Sequence, residues 1–148
     1  MFRFAVVVSR FNEEITEGLL RGAREYFAEA SVAEESVTVF HVPGAFEIPI
    51  AAQRLAETGR FDAIICLGCL IKGDTMHFEY IASACSQGII HASTVTGVPI
   101  AFGVLTTLTE EQAMARSVPG PENKGREAAL AAIEMATLLR QIEQEIVE

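Results

Sequence analysis

The chain has 148 residues, half of them hydrophobic and 21% charged, which supports a sizeable core and excludes a disordered chain. A net charge of −9 excludes a general nucleic-acid surface, which needs clustered Lys and Arg, but leaves room for a small anion held by local cations and helix ends. Three cysteines, an odd and low number, argue against a disulfide framework, and no apolar run reaches membrane-spanning length or forms a signal-peptide core, so a cytoplasmic protein with no membrane partner is expected.

Phe4–Ser9 (FAVVVS) is a continuous apolar run, the pattern of a strand buried on both faces. Ile15–Ala30 follows with helical spacing, Ile15, Leu19, Ala23 and Phe27 lining one face. Val37–Val42 is short and β-branched and is punctuated by Pro43-Gly44. Ile48–Thr58 reads as a helix ended by Gly59. Asp62–Leu67 is the third strand, and His77–Ala92 a helix rich in small residues. Pro99–Leu105 is the fourth strand, after which Thr109 opens a short helix with Gln112 in capping-box position. Beyond the loop Ser117–Glu122, a last helix runs from about Gly125 into the tail. It carries an apolar stripe of Ala128, Ala132, Met135, Leu139, Ile142 and Ile146, most of which is expected to pack on the chain's own sheet.

Repeated strand–helix alternation predicts an α/β fold, a three-layer α/β/α sandwich of flavodoxin-like type with a central parallel four-stranded sheet, as one domain over residues 1–148. Ligands of such sheets sit beyond the carboxyl ends of the strands. Phe11, Gly44–Glu47, Cys69–His77 and Leu105–Thr107, read as the four loops that follow the strands, are therefore expected to gather there.

Phe11, in Arg10-Phe11-Asn12, stands where a loop should be polar; it either stacks on a planar ring or covers the local core, and spacing does not decide. In Val42–Pro49 (VPGAFEIP), Gly44 allows torsions closed to other residues, and Glu47 near a helix start either accepts hydroxyl hydrogen bonds or offsets the helix dipole, the second being the commoner role. In Gly73-Asp74-Thr75-Met76-His77, Asp74 or Thr75 caps the next helix, whose remaining N–H groups form an anion site beside a histidine able to move protons near neutral pH. His41 and His91 lack such company and read as structural. Arg116 and Lys124 flank a loop; solvated surface charge is the ordinary role, phosphate binding the alternative. Cys66 and Cys69 form C-x-x-C on a strand and its exit rather than at a helix start, so they read as small apolar fillers. Neither a metal cluster nor a nucleotide-binding glycine motif occurs, so no cofactor and no metal is expected.

Taken together, SRFN at Ser9–Asn12, VPGAFEIP at Val42–Pro49, LGCLIKGDTMHFEYI at Leu67–Ile81, GVPIAFGVLTT at Gly97–Thr107, EQA-x-x-R ending at Arg116 and NKG-x-EAA-x-AA-x-EM at Asn123–Met135 resemble the 6,7-dimethyl-8-ribityllumazine synthase family. Family members condense 5-amino-6-(D-ribitylamino)uracil with 3,4-dihydroxy-2-butanone 4-phosphate in riboflavin biosynthesis, releasing phosphate and water without metal or cofactor. The resemblance implies that Phe11 stacks on the pyrimidine and that Ala45, Phe46 and Glu47 bind the ribitylaminouracil, with Glu47 on ribityl hydroxyls. It implies that Cys69, Leu70 and Ile71 line that substrate through their backbone and that Asp74 and Thr75 start the helix receiving the butanone phosphate. His77 is the implied proton-transfer residue, while Phe102 and Arg116 reach in from a neighbouring subunit, with Arg116 and Lys124 on phosphate.

The implied partners are the two small substrates and further copies of the chain, a pentamer being favoured and a sixty-subunit shell possible, with riboflavin synthase as a possible companion. Family members carry about a strand's worth of residues (~5–6) before the segment with which this chain opens. Lys72 stands where arginine is common, Met76 where proline or threonine is common, and Val118–Glu122 replaces a loop rich in Gly, Lys and Ala in shell-forming members. The competing readings are a non-catalytic lumazine- or flavin-binding or shell-forming paralogue, which the intact His77, Arg116 and Glu47 disfavour, and a sister riboflavin synthase, which the implied phosphate clamp disfavours.

Overall fold

Four apolar runs form one sheet, and the helices between them cover both of its faces. The computed structural model describes residues 1–147, with side chains to residue 145. Strands β1 (Phe4–Ser9), β2 (Val37–Val42), β3 (Ala63–Ile71) and β4 (Ile100–Thr107) pair in parallel in the order β2-β1-β3-β4. The helices are α1 (Glu13–Glu29), α2 (Ile48–Glu57), α3 (His77–Thr96), α4 (Glu110–Ala115) and α5 (Lys124–Val147). The expected flavodoxin-like three-layer sandwich is therefore the observed one.

Strand alternation sorts the core into two halves. Phe4, Val6 and Val8 of β1, with Ala63, Ile65 and Leu67 of β3, pack against α1 and α5. Ala5 and Val7, with Ile64 and Cys66, pack against α2 and α3. All six residues of β1 are buried, as its unbroken apolar run requires. The face predicted for α1 is the buried one, with Ile15, Leu19, Ala23 and Phe27 each at most 4% exposed. Covering a large apolar side chain in this way contributes roughly 1.5–3 kcal/mol. Gly59 follows the C-cap of α2 with φ 70°, the left-handed torsion that made it a stop signal. Thr109 and Gln112 make both bonds of the predicted capping box.

Several boundaries differ from those expected. β3 continues four residues past Leu67, because β4 offers it a partner as far as Ile71↔Thr107. Cys69–Ile71 and Leu105–Thr107 are consequently strand residues, not loops. α3 extends to Thr96 and stops at Gly97. The α5 stripe divides: Ala128 and Ala132 are buried, whereas Met135 and Ile142 are 41% and 42% exposed. The side chain of Ile146 lies outside the described residues. The face of α5 that meets the core is instead the alanine series Ala128, Ala129, Ala132 and Ala136.

That series is small because α1 and α5 approach closely. A Cβ on Gly125 would stand 1.9 Å from the Leu19 carbonyl oxygen, and one on Gly22 would stand 2.1 Å from Asn123 Oδ1. Asn123 is 2% exposed; its Nδ2 donates to the carbonyls of Gly18 (3.2 Å) and Val118 (3.0 Å), while its Oδ1 accepts from the Arg126 N–H (3.1 Å) at the start of α5. One amide thus satisfies buried carbonyls and caps a helix.

The cysteines behave as the sequence suggested. Cys66 and Cys69 face opposite sides of the sheet, and all three thiols are buried and free. Burial raises the Cys69 thiol to about 11, helped by the charge of Glu110, and raises that of Cys85 to about 11. Burial also pushes Cys66 up.

Two outcomes follow from this packing. Gly125→Ala forces a methyl into backbone and should cost about 3 kcal/mol or more in chemical denaturation; a loss under about 0.5 kcal/mol would contradict the close approach of the two helices. Native protein treated with iodoacetamide at pH 8 should keep its three thiols unmodified over a period that fully alkylates urea-unfolded chain, and rapid native labelling of Cys69 would contradict its burial.

Candidate active site

β1 has β2 on one side and β3 on the other, so the chain leaves its strand ends in divergent directions there, the place where open α/β sheets hold ligands. A cavity of about 730 Å³ opens at that point. It collects Phe11 from beyond β1, Ala45, Phe46 and Glu47 from beyond β2, Leu70 and Ile71 from the end of β3, and Thr75 and His77 from the turn into α3. Eight of the thirteen residues singled out from the sequence are thus brought together.

Each reaches the cavity for a local reason. Ala45–Glu47 form a single 3₁₀ turn that runs directly into α2, with Pro49 in its first turn, where a missing N–H costs nothing. Phe46 is left 62% exposed and Glu47 half-buried. Gly44 does not use the torsions reserved for glycine: it is extended, with φ −152° and ψ 178°. Its lack of a side chain matters for space instead, since a Cβ would stand 3.3 Å from Glu47 Oε1. Phe11 is 63% exposed over the cavity, so it does not cover the local core.

The cap before α3 differs from the expected one. Met76 holds the N-cap position and makes no side-chain cap bond, while Thr75 Oγ1 accepts from the His77 N–H at 3.3 Å. Asp74 is exposed and does not line the cavity. The next N–H groups of the first turn have no intrahelical acceptor, as at any helix start. The turn itself is tied down on both sides: the Lys72 N–H donates to the Thr107 carbonyl (2.9 Å), and the Lys72 ammonium pairs with Glu79 at 3.4 Å.

Cys69 stands behind the cavity wall, 1% exposed, with its carbonyl accepting from Asn12 Nδ2 at 2.9 Å. Asn12 is a functional candidate that its place in the Ser9–Asn12 motif alone does not reveal. Asn12 has φ 61° and ψ 49°, left-handed torsions uncommon outside glycine, and forms the N-cap of α1. An asparagine after an aromatic and just before a helical run was the available signal.

Phe102, Arg116 and Lys124 occupy a second concavity of about 350 Å³ beside the edge strand β4, which shares no lining residue with the first. Phe102 is 38% exposed there. Arg116 is exposed at the end of α4, and its Nη1 donates to the Gln112 carbonyl (2.9 Å). The Lys124 backbone N–H donates to the Arg116 carbonyl (2.9 Å), which keeps the two cations adjacent, and its ammonium pairs with Glu127 at 3.1 Å. His41, expected to be structural, sits on the surface 3.4 Å from Glu17. Among the described residues no group of three or more His, Cys, Asp or Glu is arranged to hold a metal ion, and no helix is long and apolar enough to cross a membrane.

Comparison with known sequences places these cavities in context. The sequence profile of 6,7-dimethyl-8-ribityllumazine synthase matches residues 1–140. The 6,7-dimethyl-8-ribityllumazine synthase of Salinibacter ruber is 52% identical over 141 residues, covering 95% of this chain and 90% of its own. The protein of the same name from Deinococcus radiodurans is 50% identical over 142 residues, covering 96% of this chain and 92% of its own. 6,7-Dimethyl-8-ribityllumazine synthase 1 of Caulobacter vibrioides is 49% identical over 142 residues, covering 96% and 93%. A match across nearly the whole length, on a parallel sheet whose strand ends gather the same motifs, makes this chain a member of the 6,7-dimethyl-8-ribityllumazine synthase family.

Proposed function

We propose that the chain condenses 5-amino-6-(D-ribitylamino)uracil with 3,4-dihydroxy-2-butanone 4-phosphate to give 6,7-dimethyl-8-ribityllumazine, and that the larger cavity is where it does so. The observation that carries this reading is the convergence of Phe11, Phe46, Glu47, Leu70, Ile71 and His77 at one set of strand ends. The exposed Phe11 ring offers a flat apolar face to the pyrimidine. Backbone groups of Ala45–Phe46 and Leu70–Ile71 read the edge of the heterocycle, and Glu47 accepts from ribityl hydroxyls. The phosphate sits at the start of α3, beside Asp74 and Thr75, where unpaired N–H groups and the helix dipole favour an anion.

The amine attacks the ketone to form a Schiff base with loss of one water, phosphate is eliminated, and the ring closes on the second carbonyl with loss of a second water. Each step moves a proton, and we assign that transfer to His77, whose imidazole lines the cavity. Holding two reactants together supplies much of the acceleration by itself. Arg116, Lys124 and Phe102 belong to the second concavity of the same chain, so a complete site joins the larger cavity of one copy to the smaller of a neighbour. A homopentamer acting as one domain per chain, in the cytoplasm, fits this arrangement, with a sixty-subunit shell and a riboflavin synthase companion as larger forms of the assembly. Large apolar side chains left exposed on α3 and α5, Ile90, Val95, Leu130, Leu138 and Ile142 among them, support contacts between copies.

Mixing the two substrates with purified protein should produce a fluorescent lumazine with stoichiometric phosphate; binding of lumazine without turnover would instead support the non-catalytic paralogue. His77→Ala should lower kcat about a hundredfold yet leave measurable turnover, and full activity would refute its role. Arg116→Ala should raise KM for the butanone phosphate roughly tenfold to a hundredfold with a smaller effect on the uracil substrate, and an unchanged KM for the phosphate would remove arginine from the clamp.

A further inference from the structure

We propose that Asn12 is a positioning residue that acts through Phe11, by locking the turn after β1 to the end of β3. The proposal rests on the substrate reading given above. Three observations meet at this residue. Its backbone is left-handed, φ 61° and ψ 49°, a conformation that disfavours most side chains and tolerates asparagine. Its Nδ2 donates across the mouth of the cavity to the Cys69 carbonyl at 2.9 Å, linking positions 57 residues apart in sequence. Its own carbonyl accepts from the N–H groups of Ile15 and Thr16, both at 3.0 Å, which starts α1.

Phe11 is the residue that this arrangement constrains. A ring 63% exposed to water gains by folding onto an apolar wall, and Leu70, Ile71, Phe78 and Ile81 offer one in the same cavity. A collapsed Phe11 would fill the space a planar substrate needs. The left-handed kink turns the chain at the next residue, and the Arg10 N–H is fixed to the Val42 carbonyl (2.8 Å) on the other side. Phe11 is therefore held between two anchors, one on β2 and one on β3. Asn12 thus serves the site by anchoring the turn rather than by reading the substrate.

The tether can be tested without turnover, because the chain contains no tryptophan. Phe11→Trp introduces a single reporter. In that background Asn12→Asp keeps the size and the tolerance for left-handed torsions but removes the donor, and Asn12→Gly keeps only the torsions. Both should lower the tryptophan's anisotropy and change its acrylamide quenching while leaving the far-ultraviolet dichroism intact. Unchanged emission in both would overturn the tether.

Kinetics then test its consequence. Asn12→Gly should raise KM for the ribitylaminouracil about tenfold, the loss of one hydrogen bond's positioning, with a smaller change in kcat. In a Phe11→Ala background the same substitution should change KM less than twofold, because the residue through which Asn12 acts is gone. Additive effects in the double variant would overturn the proposal in favour of direct contact with substrate. Should the unmodified protein make no lumazine, the substrate reading fails while the fluorescence comparison still decides the tether.

Discussion

The pairing of β3 with β4 at the edge of the sheet is the constraint on which the site depends. It carries β3 on to Ile71 and sets Leu70 opposite Thr106 and Ile71 opposite Thr107. The two strands at that end of the ladder line different cavities: Leu70 and Ile71 the larger, Thr106 and Thr107 the smaller. A single hydrogen-bonded register therefore fixes where both surfaces lie. Because β4 has no partner strand beyond it among the described residues, the surface with Phe102, Arg116 and Lys124 lies at the sheet edge. The contact of α1 with α5 sets the height of that surface. Glycine at position 125 and the Asn123 amide hold α5 against α1, and the backbone bond from Lys124 to Arg116 transmits that position to the cations.

The local charges also reconcile an acidic protein with an anionic substrate. A net charge of −9 repels phosphate at long range, but screening at physiological salt confines that field to about 8 Å. In the proposed shared site, Arg116 and Lys124 of one copy and the start of α3 in the next would supply the local attraction for phosphate. Burial of all three cysteines also accounts for the C-x-x-C spacing, since thiols packed inside the sheet layers are poorly placed for redox or metal chemistry.

Much of this was legible in the sequence because the signals were local. The buried run of β1, the helical face of α1, Gly59 and the capping box at Thr109 are each decided within about one or two turns of chain, and all stand as read. The errors came from partners distant in sequence. Nothing near Leu67 says that β3 should continue; β4, more than thirty residues later, supplies the ladder. The exposed side of α5 could not be told from its buried side by hydrophobicity, because the close approach of α1 selects alanines for the core and leaves Met135 and Ile142 outside. The cap expected at Asp74 or Thr75 falls at Met76, within the usual uncertainty of helix ends. The role of Asn12 is not legible locally, since its tether to Cys69 joins neighbouring strands 57 residues apart in sequence.

The central claim is that two separate surfaces of one chain belong to one reaction, completed between copies. Co-assembly of His77→Ala chains with Arg116→Ala chains tests it most directly. If each site draws its histidine from one copy and its arginine from the next, random mixing leaves about a quarter of the sites with both groups intact, so the mixture should turn over faster than the two variants assayed apart. Activity no greater than the mean of the separate variants, in assemblies shown to contain both chains, would contradict a shared site.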